Sequence, residues 1–292
     1  MARPAIMCPV FHQPTILMCP PEFYGIEYEI NPWMNTERKV DHDEAQRQWE
    51  QLRNILVDLG VDVRLMPPHK GLPDMVFTAN AALIHRQTAI VSRFRHEQRQ
   101  GEEEHDAAWL AEYGFDVRRL SAKCFFEGAG DALFCGDTFF AGYRIRSDAR
   151  CHQQVARMIG CRAIPVELVD PYFYHLDTCF CPLEPGRAVY YPAALDEYGL
   201  SAVEELIGDM IAVEPEEARA FACNAVVVGR TVVTNTGCPR LHAALKERGF
   251  DAVETPLSEF VKAGGSAKCL TLRLDGEEAA AWKREAAGGA GG

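Results

Sequence analysis

The sequence predicts an α/β protein in which five blades form a closed ring, a five-bladed pseudo-symmetric α/β propeller. Three observations support this prediction. A helix end, a glycine and a strand recur five times along the chain, which is the signature of a repeat architecture. Four stretches between these units have the pattern of strand, turn and strand. The remaining two strands lie near the two ends of the chain, so the N-terminal and C-terminal strands should pair and close the ring.

The first helix, predicted from Asp43 to Leu59, is the clearest element of the repeat. Its apolar residues recur at steps of three and four, and a glycine and the strand VDVRLM follow it. The same unit returns in LAEYG-FDVRRL, VARMIG-CRAIPVEL, VEELIG-DMIAVE and LKERG-FDAVETPL. The glycines of the five copies lie 41 to 54 residues apart and are Gly60, Gly114, Gly160, Gly208 and Gly249.

The predicted hairpins precede the helices of their own blades. They are AALIHRQTAIVSRF, DALFCGDTFFAGYR, DTCFCPLEPGRAVYYP and NAVVVGRTVVTNT, and their turns are Arg86-Gln87, Gly136-Asp137, Pro185-Gly186 and Gly229-Arg230. The fifth hairpin would join a strand from Cys269 to Leu274 with the N-terminal strand from Ile16 to Cys19. In a radial array equivalent positions converge near the axis. We therefore expect the residues that enter the hairpins to meet, namely Asn80, Glu127, His175 with Asp177, Asn224 and Cys269.

This convergence predicts a catalytic site around a thiol. Cys269 follows a glycine-rich loop in which Gly264 and Gly265 allow the backbone to approach a ligand closely. Its thiolate is the natural nucleophile, and the imidazole of His175 would move protons near neutral pH. Glu127 and Asp131, both in FEGAGD, would supply two carboxylates.

Asp177 lies two residues from His175 on a predicted strand, so it could orient the imidazole or bind a cation. Carboxylates that face a thiol suggest a planar cationic substrate, because a carboxylate binds a guanidinium through two parallel hydrogen bonds. Each residue also has a simpler interpretation: a buried apolar cysteine, a core histidine, or acidic residues in solvated loops and turns. A papain-like protease is disfavoured because CLTLRL alternates as a strand.

Composition narrows the classes of partner. The chain has 292 residues and a formal net charge of -12, which argues against nucleic acid or an anionic membrane surface. Eleven cysteines without zinc-finger spacing predict mostly free thiols in the cytoplasm and no metal site. We expect one catalytic domain over residues 1–275 and a disordered tail over 276–292, GEEAAAWKREAAGGAGG.

Several long motifs resemble a known group of enzymes. EINPWM, PDMVFTANAAL, SRFRHEQRQGEE, FFEGAGDAL, YHLDTCFCPL and KAGGSAKCLTLRL resemble the guanidine-modifying, or pentein, superfamily, which includes amidinotransferases. The likeness is greatest to arginine dihydrolase domains and extends from Ile16 to Leu274. It implies the same five-bladed fold. Some members have a second, ornithine-processing domain after this strand, where this chain has its short tail, so onward conversion of ornithine is not carried over.

The resemblance also implies roles for individual residues. Cys269 would be the nucleophile and His175 the general acid and base, with Glu127 and Asp177 binding the guanidinium. Asn31 and Asn80 would make further substrate contacts. Arg99 and Arg146 would hold the α-carboxylate, a bidentate use of arginine. Neither a metal nor an organic cofactor is expected.

We predict hydrolysis of arginine, or of a close analogue, to ornithine, carbon dioxide and two ammonia. Arginine deiminase or dimethylarginine hydrolase would stop after one round, and an amidinotransferase would pass the amidino group to an amine. A non-catalytic binding module of the same fold is disfavoured because Cys269, His175 and Glu127 are all present. The partner is a small guanidino compound, and homo-oligomer formation is left open.

Overall fold

The computed structural model describes residues 9–121 and 124–281. In these ranges the strands are β1 (Thr15–Met18), β2 (Asp62–Leu65), β3 (Ala82–His85), β4 (Thr88–Val91), β5 (Asp116–Arg118), β6 (Ala132–Cys135), β7 (Thr138–Tyr143), β8 (Ala163–Glu167), β9 (Phe180–Glu184), β10 (Arg187–Tyr190), β11 (Asp209–Ala212), β12 (Val226–Val228), β13 (Thr231–Asn235), β14 (Asp251–Thr255) and β15 (Leu272–Arg273). The α-helices are α1 (His42–Asp58), α2 (Glu97–Gln100), α3 (Glu102–Tyr113), α4 (Gly128–Asp131), α5 (Ala149–Ile159), α6 (Glu197–Leu206), α7 (Pro215–Arg219), α8 (Pro239–Glu247) and α9 (Ser258–Val261).

The strands form five three-stranded sheets, as the repeat predicts. Their orders are β15-β1-β2, β3-β4-β5, β6-β7-β8, β9-β10-β11 and β12-β13-β14. In each sheet the first pair is antiparallel and the second pair is parallel, with a helix in the connection between the parallel strands. β1 pairs with β15 through Ile16 opposite Arg273 and Leu17 opposite Leu272, so strands from both ends of the chain close the ring. The predicted five-bladed propeller is confirmed.

Local chemistry accounts for the sharp turns between these elements. Gly114 ends α3 with a φ of 111°, a left-handed conformation that a residue without Cβ adopts at little cost. The four predicted hairpin turns each contain a residue with positive φ, and these residues are Arg86, Gly136, Gly186 and Gly229. The first helix, predicted over 43–59, begins one residue earlier and ends one residue earlier, with Asp41 as its N-cap.

Burial decreases from the first strand of a blade to the third. Every residue of β3, β6, β12 and β15 is buried, whereas β2 and β5 contain no buried residue. The first strand of each blade therefore lies nearest the propeller axis and the third lies at the rim. The residues just before the first strand of each blade therefore lie close to the axis.

Two predicted boundaries are wrong. The last strand does not begin at Cys269: residues 267–270 form a turn, and the strand covers only Leu272–Arg273. The cause is that the backbone of Cys269 already has partners outside a ladder, since its N–H donates to Asn224 Oδ1 and its carbonyl accepts from Ala79 N.

The tail is also ordered further than predicted. Ala279 and Ala280 are buried, and Gly136 N donates to Ala279 O at 2.6 Å. Residues 276–281 therefore belong to the folded unit, because they bond to the β6–β7 turn. The rest of the predicted tail, residues 282–292, lies outside the described residues.

Most cysteines whose state is described are free, but Cys124 and Cys151 form a disulfide. Eight described cysteines are free, as expected for most of them, and this pair is the exception. No helix within the described ranges is long and apolar enough to cross a membrane.

Candidate active site

The segments that precede the five inner strands meet at one end of the propeller axis. A 3₁₀ turn, Thr78–Asn80, precedes β3; α4 and Glu127 precede β6; and a second 3₁₀ turn, Leu176–Thr178, follows His175. Their polar side chains are all at most 2% exposed, and these residues are Asn80, Glu127, His175, Asp177, Asn224 and Cys269. The convergence predicted from the repeat is confirmed by the hydrogen bonds between these segments.

The thiol of Cys269 lies between two polar side chains. Its Sγ donates to Asp177 Oδ2 at 3.4 Å and accepts from Asn224 Nδ2 at 3.1 Å. Asn224 also accepts from the backbone N–H groups of Ser266 and Cys269 through Oδ1. One asparagine thus fixes both the turn that presents Cys269 and the position of its sulfur.

The imidazole of His175 is held by Glu127 instead of Asp177. The distance from His175 Nε2 to Glu127 Oε2 is 2.7 Å, and Arg146 Nη1 donates to the same oxygen at 2.9 Å. Of the two functions proposed for Asp177, orienting the imidazole is therefore taken by Glu127. His175 Nδ1 and Asp177 Oδ1 are buried and have no hydrogen-bond partner among the described residues.

Burial and neighbouring charges push the pKa values of these groups apart. Burial raises the pKa of Glu127, but Arg146 and the hydrogen bond from His175 outweigh it, so this carboxyl has a pKa well below its ordinary value. Burial raises the pKa of Asp177 to about 7, against the opposing field of Lys268. Burial and the charge of Asp177 raise the pKa of the Cys269 thiol. The environment thus favours the ionised form of Glu127, whereas Asp177 and the Cys269 thiol both hold their protons more tightly than usual.

Asn80 is fixed by the predicted carboxylate-binding residue Arg99. Arg99 Nη1 donates to Asn80 Oδ1 at 2.9 Å, which orients the amide so that Nδ2 points to Glu127 O at 3.4 Å. The guanidinium of Arg99 also donates to Glu102 through Nε and Nη2, at 2.9 and 2.7 Å. This paired edge is already bound to a carboxylate, so a bidentate contact between Arg99 and a substrate carboxylate is not available.

Arg146 is better placed for the substrate. Besides its contact with Glu127, Nη2 donates to Ile30 O at 2.9 Å, and the guanidinium lies 4.6 Å from the centre of the Tyr174 ring. Its Nε is buried and lacks a hydrogen-bond partner in the described part of the chain. Arg146 therefore retains a free donor beside the Glu127–His175 pair.

Three predicted substrate contacts have partners within the protein. Asp131 accepts from Ser147 Oγ at 2.6 Å and from Leu176 N at 3.0 Å, and burial raises its pKa to about 6. Asn31 donates to Ala263 O and accepts from the N–H groups of Trp33 and Met34. Both side chains are used to hold the segments around the site, so a direct contact with substrate is not supported by these bonds.

Gly264 is the third of these residues. Its φ is +86°, and a Cβ there would lie 2.9 Å from the rings of Trp33 and Tyr174. Tyr174 also donates from its hydroxyl to Gly264 O at 2.8 Å. The close approach that the glycine permits in this structure is that of two aromatic side chains.

Sequence reasoning missed two residues of this site. The repeat places Asn224 at the axis but gives it no function, because its contact with the Cys269 sulfur cannot be read from the repeat alone. Asp74 precedes Asn80 in PDMVFTAN and is 2% exposed, and its Oδ1 has no hydrogen-bond partner in the described ranges. Burial raises the pKa of Asp74, while the charge of Arg99, the nearby Tyr28 hydroxyl and the charge of Arg146 oppose this shift. Asp74 lies within PDMVFTANAAL, one of the motifs that carry the family resemblance, and this position could have identified it.

The arrangement combines a buried thiol, an imidazole and polar atoms that lack hydrogen-bond partners among the described residues. Four buried polar atoms without described partners belong to the residues gathered here, and they are His175 Nδ1, Asp177 Oδ1, Asp74 Oδ1 and Arg146 Nε. Buried polar groups are nearly always hydrogen-bonded, so four such atoms in one site indicate a polar ligand. The site is suited to covalent chemistry on a small cation.

Comparisons with known proteins agree with this geometry. The family model described as N,N dimethylarginine dimethylhydrolase, eukaryotic, matches residues 27–275. The bifunctional arginine dihydrolase/ornithine cyclodeaminase ArgZ of Synechocystis is 46% identical over 264 residues, which are 89% of this chain and 37% of that protein. The dimethylarginine dimethylaminohydrolase of Mycobacterium tuberculosis is 40% identical over 257 residues, covering 88% of this chain and 84% of the relative.

Among solved structures, the N-terminal domain of ArgZ, as a cysteine-to-serine variant bound to substrate, has a TM-score of 0.87 and 45% identity. The match covers 90% of this chain and 99% of that domain. The fold and the site are those of the guanidine-modifying, or pentein, superfamily. The chain belongs to the dimethylarginine dimethylaminohydrolase family. It spans little more than a third of the length of the bifunctional relatives that it matches.

The raised pKa of Asp177 has a consequence for stability. Between the ordinary value of 3.8 and about 7, the folded protein holds a proton that the unfolded chain has lost. Stability is therefore lost as the pH rises through this window, and Asp177→Asn should remove the loss. We expect the variant to have a higher Tm than wild type. This increase in Tm should be larger at pH 8.5 than at pH 5, by on the order of 3 °C.

Thermal denaturation followed by circular dichroism at the two pH values measures this difference. Asp58→Asn is the matched control, since Asp58 is exposed on the first helix, and its effect should be the same at both pH values. An Asp177→Asn effect that does not depend on pH would contradict the assignment of a raised pKa.

Proposed function

We propose that this protein hydrolyses the guanidino group of free arginine twice at one site, releasing ornithine, carbon dioxide and two ammonia. The observation that supports the proposal most directly is the group of side chains around Cys269: a thiol, an imidazole and two carboxylates, of which Asp177 Oδ1 has no hydrogen-bond partner among the described residues. The propeller would act as one catalytic domain. Free thiols on eight described cysteines favour the cytoplasm as its location.

The guanidinium would lie between Asp177 and the Glu127–His175 pair. Asp177 Oδ1 is the free acceptor beside the sulfur, and a bound guanidinium would favour the ionised form of this carboxyl. The cation would also favour the thiolate of Cys269 over the thiol. Substrate binding itself would therefore activate the nucleophile, because it opposes burial and the charge of Asp177, which raise the pKa of the thiol.

In the first round the Cys269 thiolate adds to the guanidinium carbon, forming a C–S bond. His175 protonates one nitrogen, which leaves as ammonia when its C–N bond breaks, and a thiouronium remains on the sulfur. Water, losing a proton to His175, then adds to the same carbon, and the C–S bond breaks to release citrulline. Glu127 keeps the imidazole oriented through Nε2 during both proton transfers.

The second round repeats this sequence on the ureido group of citrulline. Attack by Cys269 and loss of the second ammonia leave a carbonyl carbon on the sulfur, and water converts it to a carbamate that yields ornithine and carbon dioxide. The neutral ureido oxygen needs a hydrogen-bond donor. Asn80 would supply one, because its Nδ2 carries two hydrogens and the Glu127 carbonyl accepts only one of them.

The amino-acid end of the substrate would bind to Arg146 and Asp74. Arg146 Nε is a free donor for the α-carboxylate, and Asp74 Oδ1 is a free acceptor for the α-ammonium. Arg99 then has a different function from the predicted one, since it holds Asn80 in a fixed orientation with the help of Glu102.

Dimethylarginine hydrolysis is the second candidate. The matched family model and the mycobacterial relative bear that name, whereas ArgZ bears the name of an arginine dihydrolase. Mass spectrometry of products from arginine, N-methylarginines and agmatine would separate them. The proposal predicts that arginine has the highest kcat/KM of this panel, and preferential cleavage of dimethylarginine with release of dimethylamine would overturn it.

Replacing Arg146 by alanine tests the carboxylate contact. Agmatine lacks the carboxylate, so wild type should strongly prefer arginine, and the variant should lower the ratio of arginine to agmatine kcat/KM by roughly 100-fold. The ratio is the useful quantity, because Arg146 also contacts Glu127 and its loss should affect both substrates.

Arg144→Ala is the matched control. This neighbouring arginine is exposed and pairs with Glu167, so the ratio should stay at its wild-type value. Efficient agmatine turnover by the wild type would assign Arg146 a structural role.

A further inference from the structure

The C-terminal segment Asp275–Ala281 crosses the propeller axis at the end opposite the catalytic residues. It follows β15 and bonds to Gly136, which lies in the turn after β6, whereas Glu127 lies before β6 at the other end. The four residues of β6 separate these two ends by roughly 13 Å. The segment therefore closes the axis on the side away from the substrate.

Lys268, the residue before the nucleophile, points towards this segment. Its Nζ donates to both carboxylate oxygens of Glu277, at 2.9 and 3.1 Å, and the two side chains are 9% and 14% exposed. Its backbone N–H donates to Asn224 O, the residue whose side chain contacts the Cys269 sulfur. A nearly buried charge pair is thus linked directly to the turn that presents Cys269.

The pair also borders a small cavity of about 20 Å³, room for little more than one water molecule. This cavity lies between the inner strands and the C-terminal segment, and its polar lining includes Lys268, Thr271, Arg273 and Glu277. Charges that face such a space are screened less than charges on an open surface. The field of Lys268 should consequently reach the catalytic side of the axis.

Asp177 is the group on which this field acts. The titratable groups that interact with it electrostatically are Cys269, Lys268, Glu277, Tyr174, Cys179 and Cys181. Lys268 lowers the pKa of Asp177 and Glu277 raises it, so the two members of the pair act in opposite directions. Arg273, the other buried cation of the region, is paired with Asp275 and Glu278.

We propose that Lys268 and Glu277 are positioning residues that set the protonation state of the Asp177–Cys269 pair from the side opposite the substrate. The proposal rests on the proposed function of Cys269 as nucleophile. Neither residue touches the reacting atoms. Lys268 favours the carboxylate and the thiolate, and Glu277 limits this effect by partly neutralising the ammonium.

Opposite shifts of the pH profile are the expected signature. Lys268→Met removes the cation, so the acidic limb of kcat/KM for arginine should move to higher pH, by roughly one unit. Glu277→Gln leaves the ammonium uncompensated, so the same limb should move to lower pH. Lys268→Arg keeps the charge and should restore a profile close to wild type. A purely structural pair would lower activity in both variants and leave the midpoint in place.

A second measurement does not require arginine hydrolysis. The rate at which iodoacetamide alkylates Cys269, followed by mass spectrometry of its peptide against pH, reports the thiolate directly. Its midpoint should rise in Lys268→Met and fall in Glu277→Gln. If the wild type does not hydrolyse arginine, the proposed function fails, and the alkylation midpoints still test the charge pair.

Glu278→Gln is the matched control, since it removes a carboxylate of the same segment that pairs with Arg273 instead of Lys268. Its midpoints should equal those of wild type. If Lys268→Met does not fold, Glu277→Gln alone gives the direction in which the pH midpoints move, and a shift of these midpoints to lower pH supports the proposal. Unchanged midpoints, or shifts in the same direction for both variants, overturn it.

Discussion

Cys269→Ser should lower kcat by about three orders of magnitude or more, while arginine binding is largely retained. A serine hydroxyl keeps the size of the thiol, but it remains protonated beside Asp177 and cannot add to a guanidinium carbon at neutral pH. Steady-state release of ammonia measures the loss. Isothermal titration with arginine measures the retained binding.

Cys161→Ser is the matched control for this substitution. Cys161 is a free, partly exposed thiol outside the site, so its variant should keep wild-type kcat. Intact-protein mass spectrometry of the wild type during turnover should also show an adduct on Cys269 that the serine variant lacks. Substantial turnover by Cys269→Ser would exclude covalent catalysis at this position.

Asn80→Asp should convert the protein into an enzyme that stops at citrulline. A carboxylate can still accept from Arg99 and from a guanidinium, so arginine should be consumed. It has no donor for the neutral ureido oxygen, so the second attack should fail. Ammonia released per arginine should fall from about two towards one, and citrulline should accumulate instead of ornithine.

Asn235→Asp controls for the cost of placing a carboxylate at a buried asparagine. Asn235 lies in a different blade from Asn80 and is 7% exposed. Its side chain bonds to the backbone groups of Leu257 and Ala220. We expect this variant to lose stability and to keep the product ratio of wild type. If Asn80→Asp behaves in the same way, Asn80 has a structural function only.

The architecture could be predicted from the sequence because it is repeated. Each blade restates the same hydrophobic pattern and turn chemistry, so five weak local signals support one another. The same symmetry predicts that Asn80, Glu127, His175 and Cys269 lie close together. Residues that enter equivalent strands of a ring must lie near its axis.

Partners of buried polar groups could not be predicted in this way. Asp131, Asn31 and Arg99 have the residue types of a ligand site, yet their hydrogen bonds are largely made to protein groups. Which polar atoms remain without a partner depends on neighbours from other blades. Glu127, for example, binds the imidazole of His175, a function that the sequence analysis offered for Asp177. Gly130 illustrates the same limit: a Cβ there would overlap Asn80 Nδ2, so the glycine admits a protein side chain and not a ligand.

The tail could not be predicted because its composition alone suggests disorder. Ala279 and Ala280 are ordered by backbone bonding to Gly136, a turn that lies about 140 residues earlier in the chain. Such long-range pairing leaves no local pattern in the sequence.

The central claim is that one site performs two successive hydrolyses of the same carbon. The most direct test is the product balance of the wild-type protein with arginine as the sole substrate, with ornithine, citrulline and ammonia measured together. The account predicts one ornithine and two ammonia for each arginine consumed, with no lasting citrulline. Citrulline as the end product with a single ammonia would contradict it and make the protein a deiminase.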